Sequence, residues 1–190
     1  MSYPSRTGDK FLYVLGSDNT FLNWLRAQES TLGKLGGIVL TTDGTYKQTK
    51  NRDTKTITFG TVDVAQQFFL LCQSICTHED EETLSWIINS MKDHTEKLVK
   101  QVQEKWLHKV FEDAAATNVS VLGELFGFDA DANLMRDLRK ILDQIVALDG
   151  KEWKANVDFL IVDGQKAPRN AAIKIFPNCR MLDCFRHLKL

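Results

Sequence analysis

Two short stretches hold most of the thiol and imidazole chemistry this sequence offers. CQSICTHEDEE, residues 72–82, carries Cys72, Cys76 and His78 ahead of four consecutive acids. NCRMLDCFRHLKL, residues 178–190, carries Cys179, Cys184 and His187. All four cysteines thus fall into two clusters, each beside a histidine, and a tetrahedral zinc would draw four of these six groups if the clusters met. The spacing argues for something plainer. Zinc knuckles use two residues between thiolates to make a tight turn, whereas here three and four intervene. Phe68, Leu71 and Ile75 around Cys72 read as core, where cysteine is often simply buried. On a helix, Cys72 and Cys76 would share one face. HEDEE then reads as a helix boundary, with caps offered between Thr77 and Asp80 and acids favoured by the dipole of the next helix.

Acid and nucleophile chemistry is thinner. DFLIVDG ends an apolar run on Asp163, the position at which α/β enzymes place a magnesium-binding acid. No second acid follows at motif spacing and no βαβ alternation is apparent around it, so Asp163-Gly164 reads as turn chemistry. Cys76 with His78 is the least implausible nucleophile and base, and no Gly-x-Ser-x-Gly elbow is present. His94 and His108 are fourteen residues apart on one predicted helix, roughly 21 Å at the standard rise, too far to share a substrate. LGKLGG lacks the Gly-Lys-Ser/Thr ending of a phosphate loop.

The charged surface is more informative. YKQTKNRDTK places Lys47, Lys50, Arg52 and Lys55 beside Tyr46, and KAPRN adds Lys166 and Arg169 on a second segment. Such side chains on neighbouring loops contact phosphates without reading sequence. They equally form the charged edge that keeps strands from aggregating. The net charge is −1, yet residues 1–60 carry eight Lys+Arg against five Asp+Glu, residues 61–150 eight against sixteen, and residues 151–190 eight against four. Basic ends and an acidic middle suggest opposite surfaces suited to head-to-tail self-association.

The elements that must position these groups follow from periodicity. KFLYVLG, residues 10–16, reads as a strand, and a capped amphipathic helix is predicted over about 19–32. Residues 38–60 read as a three-stranded meander, turning at Asp43-Gly44 and at Asn51-Arg52-Asp53. Helices are predicted over 62–76, 81 to about 116, 119–126, and along the stripe Leu134, Leu138, Ile141, Ile145 and Leu148. WKANVDFLIVDG and AAIKIFP read as a hairpin joined by QKAPRN, with a terminal helix after them.

The fold class expected is α+β, a mixed small sheet from N- and C-terminal strands packed against a central helical layer. It is read as a single domain over 1–190: a β-rich basic part to 60, a helical acidic part over 61–150, and a β-hairpin with terminal helix after 150. The apolar runs are too short to cross a bilayer and no signal peptide is evident, so an intracellular, non-membrane protein with reduced thiols is expected. The functional reading favoured is a non-enzymatic self-assembling or scaffold-like homo-oligomer, of viral or phage structural or accessory type, contacting nucleic acid through the basic hairpin. The alternatives are an enzyme with a dispersed site around Cys76/His78 or Asp163, and a zinc-stabilised regulatory module. No other cofactor is expected.

Overall fold

The computed structural model of the 190-residue chain describes residues 2–7, 10–17, 20–21, 23–25, 27, 38–45, 54–62, 67–112, 151, 153–163 and 165–184. The chain divides into two compact units, Met1–Asp93 with Asn156–Leu190, and His94–Ala155.

The first unit is built on a seven-stranded sheet. Its strands are β1 (Ser2–Thr7), β2 (Lys10–Leu15), β3 (Val39–Thr45), β4 (Lys55–Val62), β5 (Phe68–Cys76), β6 (Phe159–Val162) and β7 (Arg180–Asp183), in the order β1-β2-β5-β4-β3-β6-β7. The pairs from β1 through to β3 are antiparallel, and β3–β6 and β6–β7 are parallel. The fold is therefore α+β with a mixed sheet, and strands from both ends of the chain meet where β3 pairs with β6.

Helix α1 (Glu81–Glu112) follows β5. Asp80 starts it, accepting the Thr83 backbone N–H at 2.9 Å, and Glu81 and Glu82 complement the helix dipole in the first turn. Leu84, Ile87, Ile88 and Met91 are fully buried, at the three- and four-residue steps of one helical face, and burying each such side chain is worth about 1.5–3 kcal/mol. The Cys72 thiol reaches Met91 Sδ at 3.8 Å, so this face packs on the sheet. Helix α2 (Lys166–Ile175) lies on the same side, since Asn170 bonds Glu81 at 3.1 Å and Ala171 and Ala172 are buried. Inward residues alternate along the strands, Ile57 and Phe59 on β4 and Leu160 and Val162 on β6, leaving Thr41, Thr58 and Ile161 on the other face only partly covered.

In the second unit, Thr95, Leu98, Val99 and Val102 continue the buried stripe of α1, and Trp153 and Ala155 are buried. Glu96 ties these parts together by accepting the Ala155 N–H at 2.9 Å and pairing with Lys154 at 3.9 Å.

Several expectations are corrected. Residues 68–76 form a strand, not a helix. The misleading 3.6-like spacing comes from an irregular register near Phe59 and Gly60, where Phe59 faces Cys72 and Gly60 faces Leu70, so that adjacent Leu71 and Cys72 are both buried. Asp43-Gly44 is not a turn but the interior of β3, paired with Thr58 and Ile57. Among the described residues, 38–60 hold two strands rather than three, β3 and most of β4, and β5 is the third strand of the antiparallel run; the first reversal lies between Thr45 and Lys55, and Asn51-Arg52-Asp53 fall outside the described residues. The expected hairpin after residue 150 is instead a β6-α2-β7 unit with parallel strands. AAIKIFP reads apolar as a strand, but Pro168 in the first turn is compatible with a helix, and its neighbours close it against β6. RMLD is a strand rather than part of a terminal helix. The predicted helices beyond residue 112 lie outside the described residues. Finally, β5 comes from the middle segment yet sits inside the sheet, and its sequence FFLLCQSIC carries no charged residue.

One contact sets the register that matters most. Asp158 Oδ2 accepts the Ile38 backbone N–H at 2.7 Å, and Ile38 O accepts the backbone N–H groups of Asp158 and Phe159 at 3.0 Å. A charge-assisted bond of this length pins the start of β3 to the start of β6.

Candidate functional site

At the opposite, carboxyl-terminal ends of β3 and β6, the partly covered sheet face opens into a groove of about 880 Å³. It is lined by Thr41, Thr42, Asp43, Thr58, Phe68, Ile161, Asp163 and Cys184.

The register explains why two acids share it. Thr41 pairs with Ile161, and Ile161 with Leu182. Two residues on from these pairs come Asp43, Asp163 and Cys184, and the β6–β7 ladder continues past its strands, because the Cys184 N–H donates to Val162 O at 2.7 Å. Asp43 is itself paired with Thr58 on β4. Thr58, Asp43, Asp163 and Cys184 thus form a row on or just past four neighbouring strands, and all four line the groove. Asp43 is exposed and Asp163 half-buried. The Asp163 carboxylate is oriented by Gln165, whose backbone N–H donates to Oδ1 at 3.3 Å and whose side-chain amide donates to Oδ2 at 3.1 Å.

The strand order adds meaning to this position. From β3 the chain proceeds outward through β4 to β5, while from β6 it proceeds the other way to β7. The connections therefore diverge between β3 and β6, the kind of switch point at which open sheets bind ligands beyond the carboxyl ends of their strands. Two carboxylates with hydroxyls beside them form a hard-oxygen donor set, which suits Mg²⁺ or Mn²⁺. Among the described residues, no group of three or more His, Cys, Asp or Glu side chains is close enough to hold a metal.

Among the described residues, the thiol and imidazole candidates do not gather. Cys72 and Cys76 lie on β5, and Cys179 and Cys184 flank β7, four strand spacings or about 19 Å across the sheet. Within β5 the two thiols share the buried face but stand roughly 13 Å apart along the strand. His78 is exposed beyond the strand end and contacts Thr77 Oγ1 at 2.9 Å, while His187 lies outside the described residues. His94 is buried on α1.

Burial pushes the Cys72 thiol up to about 12. It also lifts Cys76 to about 11, with the nearby charge of Glu79 as a second cause, and Cys179 to about 11, with Asp158 as the second. A nucleophilic cysteine is favoured by the opposite shift, and Cys76 is buried in the sheet. The folded chain keeps the Cys72 proton and the unfolded chain releases it near the ordinary value of 9.0. Stability from this burial is therefore intact below pH 9 and is lost as pH rises toward 12, by about 1.4 kcal/mol per pH unit for Cys72. Urea unfolding at pH 8, 9.5 and 10.5 should show a steeper alkaline loss for the wild type than for Cys72→Ala; equal slopes would contradict the assignment.

Of the basic candidates, Lys47, Lys50 and Arg52 lie outside the described residues, in the segment the chain enters from the Asp43 end of β3. Lys55 pairs with Glu79 at 3.6 Å, and Arg169 is ion-paired with Asp183. Lys166 is exposed in the first turn of α2, three residues after Asp163.

Asp43 is the site residue that sequence reasoning missed, because Asp-Gly reads first as a turn. A signal was present. LTTDG and LIVDG both carry an apolar strand into Asp-Gly, and two strands ending alike suggest two matching ends of one sheet.

Among the described residues, no helix is long and apolar enough to cross a membrane. Comparison with known protein families, with curated proteins and with solved structures finds no match to this chain.

Proposed function

We propose that the groove is the active site of a divalent-cation-dependent phosphoryl-transfer enzyme acting on the phosphodiester backbone of nucleic acid. The row Thr58, Asp43, Asp163, Cys184 carries this reading, because it aligns two carboxylates from adjacent parallel strands at a switch point. It belongs to the dispersed-site class around Asp163, with Asp43 as the added partner.

Asp43 and Asp163 would hold Mg²⁺, which binds through one or two carboxylates plus substrate phosphates. When bound, the ion supplies a Lewis acid for a phosphoryl oxygen and an acidified water. The protein's own contributions follow from position. Gln165 fixes both oxygens of Asp163, removing the freedom of the carboxylate to turn away. Lys166 stands next to that carboxylate in sequence and offers a cation to a neighbouring phosphate. The segment carrying Lys47, Lys50 and Arg52 departs from the strand end that bears Asp43, so the basic and acidic chemistry leave the sheet at the same edge.

Charge alone favours a scaffold, whereas the groove with its two acids supports an enzyme. A zinc-stabilised module needed its two thiol sets together, and they are strands apart.

Incubating the full chain with end-labelled single-stranded and duplex oligonucleotides tests the proposal. Cleavage or strand joining that appears with Mg²⁺ or Mn²⁺ and stops with a chelator is expected. Identical product patterns with and without the cations would reject it.

A further inference from the structure

One groove residue is unlike the rest. Phe68, at the start of β5, is 53% exposed, although it is large and apolar. Its ring is not standing free of the sheet. A Cβ built on Gly60 would overlap the ring at Cε2 and Cζ and would come within 2.9 Å of the Phe69 carbonyl oxygen. Gly60 therefore leaves room for the ring to lie across β4, with one surface against backbone and the rest toward the groove. Gly60 is paired with Thr41, two residues before Asp43. The ring thus sits about 7 Å along the strand from the acid row, on the same sheet face.

We propose that Phe68 is a stacking platform for an unpaired nucleobase, beside a phosphate that a divalent ion at Asp43 and Asp163 would hold, which makes single-stranded nucleic acid the substrate class. This rests on the phosphoryl-transfer reading of the groove. Every nucleobase has a π face, so stacking on an exposed ring gives affinity without sequence preference. A base paired inside a duplex has both faces already covered by its neighbours, so the platform favours single strands. Thr41 and Thr58 line the stretch between ring and acids, small enough to let a sugar pass.

The probe is a fluorescein-labelled twelve-nucleotide oligothymidylate, followed by anisotropy with the full chain. A strand of the same length made entirely of abasic residues serves as comparison. Phe68→Ala is expected to weaken binding of the base-bearing strand about 5- to 150-fold. Phe68→Trp should retain it, and the abasic strand should bind wild type and Phe68→Ala alike. Unchanged affinity for the base-bearing strand, or an equal loss on both strands, would overturn the platform; so would a wild type that binds neither. Calorimetry with Mn²⁺ alone separates the two proposals. Phe68→Ala should bind Mn²⁺ as the wild type does. A wild type with base-dependent binding and no Mn²⁺ affinity would keep the platform and remove the acid site.

Discussion

Asp163→Asn should lower cation-dependent cleavage by about 10³-fold or more, and Asp43→Asn should do the same. Holding a metal at a transferring phosphoryl group is worth several kcal/mol of transition-state stabilisation, and about 4 kcal/mol corresponds to that factor. Asparagine keeps the shape and one oxygen of the side chain but removes the charge that pairs with a divalent ion. The double variant should be little worse than either single one, because both carboxylates serve one ion and effects within such a unit do not add. Asp183→Asn is the matched control. It removes the same formal charge one residue away from Cys184, but Asp183 is engaged with Arg169 of α2, on the helix-covered side of the sheet. Its rate should stay close to that of the wild type. Single-turnover cleavage of a labelled oligonucleotide, with circular dichroism to confirm folding, measures all four proteins. Full activity in Asp163→Asn would remove the metal site.

Trp24→Ala should be the most damaging single change to stability. Trp24 is completely buried, its indole N–H donates to Asn156 O at 3.1 Å, and its ring meets Phe176 edge-on at 6.1 Å between centroids. Truncation leaves a large cavity and an unpaired carbonyl, and core Trp→Ala changes cost about 3–5 kcal/mol. Trp24→Phe refills much of the volume and should cost less. The position matters beyond the total. Asn156 lies just before β6, and Phe176 just after α2, so one indole braces both sides of the β6-α2 segment that presents Asp163. Urea unfolding read by circular dichroism should give a midpoint for Trp24→Ala well below that of Trp24→Phe. Coincident midpoints would mean the indole is not the brace it is taken to be.

The class of the fold was legible, and half of the site was not, for a shared reason. Leu84, Ile87, Ile88 and Met91 lie on one covered face of a helix, so their period announces α1 directly. β5 is covered differently, with Leu71 and Cys72 both turned inward at a register irregularity, and that local defect imitates helical spacing. Asp43 was hidden by the same kind of ambiguity, because Asp-Gly states what a backbone tolerates and not where the chain reverses. Asp163 was noticed as an acid at a strand end, then set aside because α2 looked like a strand. Parallel pairing between segments more than a hundred residues apart leaves no periodic trace, and only that pairing brings Asp43 beside Asp163.

The link between Ile38 and Asp158 spans 120 residues. During synthesis β3 emerges early and pairs with β4 on one side, but its other side has no partner until β6 has been made. For that interval the nascent chain carries an open ladder of backbone donors and acceptors, the kind of edge that recruits other chains. The acid pair is completed only once β6 has been made, so a truncated product ending before residue 159 would lack Asp163 and keep that edge open, prone to clump.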